Sequence, residues 1–305
     1  MVNDINSIWT IEKTLAAADS FLKKHGSLAP RLEAERLMAN ILDVERIDLY
    51  IQYDRPLLED EREAYRETIK VRARGLPLQY IIGEQGFRKI TLKVSPEVLI
   101  PRPETELLVE YVIGEIDRLR DKKRDEGREA PVILDIGTGS GAISISLAYE
   151  VDNIEIWALD RSSKALEIAI ENASTYDLHK KIRFFKSDIF SGVKDIYAGR
   201  FDIIVANPPY IATGMISKLP VDVRHEPIEA LDGGAEGLDF YQSIIVGSKE
   251  YLKSGGSVIF EVGDDQANRV IKIFTDNFFS DIHMIQDYSG RDRIVAAKLS
   301  DDGLT

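Results

Sequence analysis

Residues 134–148 read LDIGTGSGAISISLA, and the architecture of this 305-residue chain turns on them. Leu134, Asp135 and Ile136 close an apolar run of strand character. Gly137, Gly139 and Gly141 then allow a sharp turn and let a ligand lie against main chain with no Cβ in the way. The rest of the stretch has helical character, so the whole reads as strand, glycine turn, helix. From residue 131 onward the same rhythm repeats. The runs VILDIG, IEIWALD, IRFFKSD, FDIIVAN and GSVIFEVG are separated by helical or irregular segments, and DIHMIQD and DRIVAAKL close the series. Near-continuous apolar strands alternating with helices predict an α/β fold: a mostly parallel sheet covered on both faces. In such sheets ligands bind at the carboxyl ends of the strands, near the point where the strand order reverses.

The next strand ends at Asp160, 25 positions after Asp135, and a carboxylate there suits the two hydroxyls of a ribose. Two cofactors compete for the loop. Gly137-x-Gly139-x-x-Ala142 satisfies a relaxed dinucleotide fingerprint, which alone is weak. The D-x-G-x-G-x-G form, opened by an acid, is more typical of S-adenosylmethionine sites. A pyrophosphate prefers a bare helix N-terminus, whereas a methionyl ammonium favours nearby carboxylate and carbonyl groups. The third strand ends at KSDIF, where Asp188 suits an adenine amino group and equally a helix cap.

The fourth strand ends in NPPY, Asn207 to Tyr210. Two consecutive prolines donate nothing to a sheet ladder, so the strand stops and leaves Asn207 and Tyr210 on a stiff loop. An –NH₂ on an sp² carbon is a poor nucleophile because its lone pair is delocalised. It becomes competent when both N–H groups are held and the lone pair points at an electrophilic carbon. The Asn207 side-chain oxygen and the Pro208 carbonyl supply two such acceptors, and Tyr210 can pack flat on the planar group. The prolines limit the entropy lost on ordering, so positioning carries most of the catalysis. The bland alternative is a strand-ending turn that merely contains prolines.

The remaining chain sets bounds. Residues 5 to about 75 read as helical, with Ile11, Leu15, Ala18 and Leu22 at helical spacing in one segment and Leu32, Met38 and Leu42 in the next. Residues 59–74 open acidic and close basic, matching a helix dipole. GLPLQYIIG (75–83) breaks the pattern with two glycines and a proline, and FRKITLKV with EVLI reads as a β-hairpin joining two parts. A further helix follows over about 104–120, and the charged stretch of residues 117–130 carries no assigned role. Residues 1–95 hold 15 basic and 15 acidic side chains, so the whole net charge of −13 lies in residues 96–305, with 24 basic against 37 acidic. That acidity argues against a nucleic-acid duplex as the main ligand. The absence of cysteine excludes disulfides and a thiol nucleophile, and four scattered histidines argue against a histidine metal cluster. No signal-like start and no apolar run of ~20 residues are evident, so a soluble cytoplasmic protein is expected.

Six stretches resemble the HemK/PrmC family of release-factor glutamine N5-methyltransferases: GLPLQYIIGEQGF, VLIPRPETELLVE, LDIGTGSGAISISLA, FDIIVANPPYI, HEPIEALDGGAEGLDFYQSII and YSGRDRIVAAKL. Together they span almost the whole chain. The resemblance implies a helical substrate-recognition domain (1–83), a β-hairpin linker (84–103) and a seven-stranded Rossmann-like class I methyltransferase domain (104–305). It implies methylation of the glutamine of the Gly-Gly-Gln motif in class 1 peptide-chain release factors, from S-adenosyl-L-methionine, with S-adenosyl-L-homocysteine as product. Carried over by position, it implies that Asp135, Gly137, Thr138, Gly139, Ser140 and Gly141 meet the cofactor, Asp160 its ribose, and Asp188 and Ile189 its adenine. Asn207, Pro208, Pro209 and Tyr210 would hold the glutamine amide, and Asn207 would also meet the cofactor. Arg102, Glu104 and Thr105 of PRPETE either border the pocket or simply start a helix at Pro103. EPIEALDGG is either a lid or an irregular loop. An adenine or guanine amino-methyltransferase acting on DNA or RNA is the alternative enzyme, and a non-enzymatic binding module is the alternative class.

Overall fold

The computed structural model describes residues 8–123, 130–193 and 197–300. The expectations for residues 5–7 and for 124–129 of the charged run fall outside the described residues. The chain divides into two compact units: one runs up to Gly83 and includes Pro220–His225, the other comprises Glu84–Leu219 and the chain from Glu226.

Among the described residues the first unit holds five α-helices: α1 (Ile11–Lys24), α2 (Pro30–Leu42), α3 (Arg46–Ile51), α4 (Glu59–Ala73) and α5 (Leu78–Ile82). Thr10 caps α1 through its hydroxyl, and Pro30 opens α2 where no amide donor is required. Ile11, Leu15, Ala18 and Leu22 of α1 are buried as their spacing predicts. The inward stripe of α2 is Ala34, Leu37 and Met38, and Leu32 is exposed. Met38 and Leu42 of the expected stripe pack into the core, whereas Leu32 does not. Glu35 is buried with them, held by Arg31, Arg46 and the hydroxyl of Tyr50. The expected break at 75–83 is only partial. Gly75 (φ 101°) and Gly83 (φ 90°) bracket it, while Leu78–Ile82 form one short helix directly after Pro77.

The second unit opens with a two-stranded hairpin, β1 (Glu84–Phe87) and β2 (Ile90–Lys93), turned at Arg88 (φ 50°). EVLI does not form a strand. Pro96 and Pro101 bracket it, and its amides go elsewhere: Val98 to the Ser95 carbonyl, Ile100 to the Glu226 carboxylate. Helix α6 (Pro103–Lys123) follows. The sheet then comprises β3 (Val132–Ile136), β4 (Glu155–Asp160), β5 (Ile182–Lys186), β6 (Phe201–Ala206), β7 (Leu252–Glu261), β8 (Phe279–Gln286) and β9 (Asp292–Leu299), in the order β5-β4-β3-β6-β7-β9-β8. The first five strands run parallel and β9 pairs antiparallel with both β7 and β8.

Every residue of β3 and β6 is buried. Alternate side chains feed two cores, because strand side chains alternate faces. Ile133 and Val205 join α6, α7 (Ala142–Glu150) and α8 (Ser163–Thr175) on one face. Leu134 and Ile204 join α9 (Asp239–Tyr251) and α10 (Ala267–Asp276) on the other. Since β4 and β5 lie to one side of β3 and β6 and β7 to the other, the strand order reverses between β3 and β6, and the crevice opens at their carboxyl ends. Among the described residues no helix is long and apolar enough to cross a membrane.

Candidate active site

The glycine turn issues from β3 into that crevice. Its amides are anchored to β4: Gly137 and Thr138 both donate to the Leu159 carbonyl, at 2.9 and 2.8 Å. The three glycines all have positive φ, but they differ in surroundings. A Cβ on Gly141 would lie 2.6 Å from Ile145 Cδ1, so this glycine lets the turn press on its own helix. Among the described residues, a Cβ on Gly137 or Gly139 would meet no atom within 4 Å beyond its chain neighbours, because both line a cavity of about 370 Å³.

Asp160, at the end of β4, also lines this cavity. It accepts from the Gly139 amide (2.9 Å) and the Ser162 amide (2.8 Å), so it ties the turn to the next helix and keeps lone pairs for a ligand hydroxyl. Burial raises its pKa. Asp135 is a different case. It is fully buried, does not line the cavity, and accepts from the hydroxyls of Thr138 (2.7 Å) and Ser144. It braces the turn from beneath, its Oδ1 makes no hydrogen bond within 3.5 Å among the described residues, and burial pushes its pKa up to about 6. Thr138, Ser140 and Gly141 likewise stand behind the cavity rather than on its wall. Asn172 of α8 completes the scaffold: its Nδ2 donates to the Ser140 carbonyl (2.9 Å) and the Lys93 carbonyl (3.0 Å), linking turn and hairpin. Nothing in the local pattern around Asn172 marks it for that task.

After β5, Asp188 and Ile189 line the far end of the cavity. Asp188 does not cap a helix; it opens a turn closed by the Ser191 amide on its carbonyl. Ile189 has φ 51°, a strained conformation for a β-branched residue, and Ser187 holds it by donating to the Ile189 carbonyl (2.7 Å).

From the tip of β6, Asn207, Pro208 and Pro209 reach the same cavity. Asn207 Nδ2 donates to Thr105 Oγ1 at 3.1 Å, and Thr105 Oγ1 donates to Glu261 Oε2 at 2.6 Å. The carboxamide oxygen is thereby turned away from Thr105. Tyr210 does not line the cavity: its ring packs into the second core beside Gly263, and burial pushes its hydroxyl pKa up to about 12. The loop is backed closely by main chain. A Cβ on Gly233 would lie 2.6 Å from the Pro209 carbonyl oxygen, one on Gly237 2.2 Å from that of Tyr210, and Gln266 Nε2 donates to the Tyr210 carbonyl (2.9 Å).

The two motifs with open readings meet each other. Pro103 does start α6, with Glu104 and Glu106 in its first turn. Arg102, Glu104 and Thr105 do not line the cavity, yet Thr105 reaches Asn207 from behind. EPIEALDGG contributes Pro227, Glu229 and Ala230 to the cavity wall. The buried Glu226 accepts from the Ile100 amide (3.1 Å) and pairs with Arg102. The Thr105–Glu261 and Ile100–Glu226 links join residues more than a hundred positions apart, so no local pattern discloses them.

The sheet order, with its crevice at the switch point, is that of the class I methyltransferase fold. The hMettl16 catalytic domain, solved in complex with a MAT2A 3′UTR hairpin, has the same fold at a TM-score of 0.55 and 18% identity, over 77% of this chain and 83% of that one. Residues 121–230 match the Methyltransferase small domain family and residues 13–83 the PrmC N-terminal domain family. A release factor glutamine methyltransferase of Geobacter sulfurreducens is 38% identical, over 96% of this chain and 98% of its own length. One of Chlorobaculum tepidum is also 38% identical, over 94% and 96%. The chain belongs to the release factor glutamine methyltransferase family.

Proposed function

We propose that this chain transfers a methyl group from S-adenosyl-L-methionine to the side-chain amide nitrogen (N5) of the glutamine in the Gly-Gly-Gln motif of class 1 peptide-chain release factors, and so modulates translation termination. The observation that carries the reading is the Asn207 carboxamide, oriented by Thr105 at the wall of a cavity that also contains Gly137, Gly139 and Asp160. Near-full-length similarity to release factor glutamine methyltransferases supports the choice of a glutamine over a nucleobase.

The residues present fit the cofactor. The cavity volume lies in the range of small-molecule sites, and the space where Gly137 and Gly139 lack a Cβ admits a ligand against main chain. Gly137, Gly139, Asp160, Asp188, Ile189 and Asn207 would hold it, with Asp135, Thr138, Ser140 and Gly141 shaping the turn. When bound, S-adenosyl-L-methionine supplies an electrophilic sulfonium methyl carbon. Asn207 Oδ1 and the Pro208 carbonyl accept the two N–H groups of the substrate amide and fix its plane. Pro209 stiffens the loop, and Tyr210 backs it as a neutral phenol. The new nitrogen–carbon bond would replace the methyl carbon–sulfur bond, with S-adenosyl-L-homocysteine as leaving group, and the surplus proton of the methylated nitrogen, strongly acidic, would pass to solvent water. No ionised base is required, and positioning supplies the rate.

Residues 1–83 act as the substrate-recognition domain, 84–103 as the linker and 104–305 as the catalytic domain, in the cytoplasm. A groove on the helical unit supports protein recognition: Trp9 and Phe21 lie beside Arg62, Arg66 and Lys70. The test is mass spectrometry of a class 1 release factor incubated with the enzyme and S-adenosyl-L-methionine. The Gly-Gly-Gln glutamine gains one methyl group. Transfer to nucleic acid, with that glutamine unmodified, would overturn the reading.

A further inference from the structure

We propose that Thr105 and Glu261 are positioning residues that decide which end of the Asn207 carboxamide faces the substrate. The inference rests on the reading of Asn207 Oδ1 as an acceptor for the substrate amide. The oxygen and nitrogen ends of a carboxamide have nearly the same shape, so packing alone does not choose between them. A hydroxyl has one hydrogen. Thr105 gives its hydrogen to Glu261 Oε2 at 2.6 Å, so toward Asn207 it can only accept, and it accepts from Nδ2 at 3.1 Å. Thr105 and Glu261 are both buried, which shields the chain of bonds from competing water. A reversed Asn207 would present N–H donors to the N–H groups of the substrate and lose the acceptor on which orientation depends. The donated bond at Nδ2 also polarises the carboxamide and makes Oδ1 a better acceptor.

The device has a root in the charge of Glu261. A protonated Glu261 would donate to Thr105, whose hydrogen would then turn toward Asn207 and favour the reversed amide. The groups facing Glu261 are Glu104 on α6, Arg102 before it, Tyr210 after β6, Tyr241 on α9 and Arg293 on β9. Burial, the largest influence, and Glu104 oppose the carboxylate, while the Thr105 hydroxyl and the two arginines favour it; the balance pushes its pKa up to about 7.

The test compares Thr105→Val, Thr105→Ser, Asn207→Ala and Glu261→Gln in steady-state methylation of a release factor. The expected result for Thr105→Val is a fall in kcat of about 10- to 100-fold, with the KM for S-adenosyl-L-methionine within about twofold of the unmodified enzyme. Thr105→Ser recovers most of the rate. Thr105→Val within about twofold of the unmodified enzyme, while Asn207→Ala is inactive, overturns this inference and leaves the assigned function standing. An active Asn207→Ala overturns the site reading itself. Where Thr105→Val does not fold, the unmodified enzyme carries the test: its kcat falls as pH drops through about 7, and Glu261→Gln abolishes that limb. The same limb in Glu261→Gln, or none in the unmodified enzyme, overturns the inference.

Discussion

At the scale of single residues, the glycines of the turn separate into two tasks. Gly141 serves packing, whereas Gly139 stands at the cavity wall, where the proposed cofactor would lie. Gly141→Ala drives a methyl group into Ile145 and forces a positive φ on alanine, and overpacking of this kind typically costs about 1–3 kcal/mol. Thermal denaturation without cofactor should register that loss. Gly139→Ala meets no protein atom, so its stability cost is confined to backbone strain of about 1 kcal/mol. Calorimetric titration of this variant should nevertheless show a larger loss of S-adenosyl-L-methionine affinity than any drop in its stability explains. The same division applies to the acids: Asp160 is at the wall and Asp135 behind it. Asn207→Ala should reduce kcat about 100-fold or more, the scale set by loss of one oriented polar group at a reacting centre. Single-turnover methylation of a release factor measures it.

At the scale of elements, the site is a set of loops held by strand ends and by each other. The NPPY loop is stiff through its prolines and also through its backing, where Gly233 and Gly237 allow the next loop to approach its main chain within contact distance. Gly233 has no positive φ, so Gly233→Ala tests proximity free of strain. Its Cβ would stand 2.6 Å from the Pro209 carbonyl oxygen, and the loop must shift. The expected outcome is a fall in kcat with overall fold retained, read by methylation assay alongside circular dichroism. Retained activity would show that the backing does not hold the loop. Prolines, glycines and apolar runs disclosed the strands, the turn and the end of β6 directly, because each constrains its own φ/ψ. EVLI misled because strand composition says nothing about the partner ladder, and its amides are taken by a turn and by Glu226. Leu32 misled because helical spacing offers several overlapping stripes, and contact with α1 and α4 selects one.

At the scale of the whole molecule, buried carboxylates set how stability responds to pH. Asp135 and Glu261 have pKa values raised to about 6 and about 7, chiefly by burial. A raised value means that the folded state holds its proton where the unfolded chain has lost it. Their contribution is therefore complete below the unfolded values and declines as pH rises through about 4 to 7. Each group changes the slope by at most about 1.4 kcal/mol per pH unit. Glu150, lowered by its bonds to Arg88, works in the opposite sense and loses its contribution as pH falls. Urea denaturation as a function of pH should show Asp135→Asn with a shallower decline between pH 4 and 6 than the unmodified protein. An unchanged slope would mean that Asp135 titrates normally in the fold.

The sequence by itself determined what rests on local conformation: the glycine turn after β3, the strand stop at Asn207, the helix start at Pro103 and the alternation that makes an α/β sheet. It also marked the cavity wall at Gly137, Gly139, Asp160 and Asn207, because those residues lie at strand ends that the sheet order gathers. Only the tertiary structure decided how Asn207 is turned, since that depends on a hydroxyl and a carboxylate brought together from α6 and β7. The physical reason is one of range. Backbone preferences act over a few residues and are written in each short stretch, whereas a hydrogen bond between distant side chains exists only after strand order and helix packing have placed them side by side.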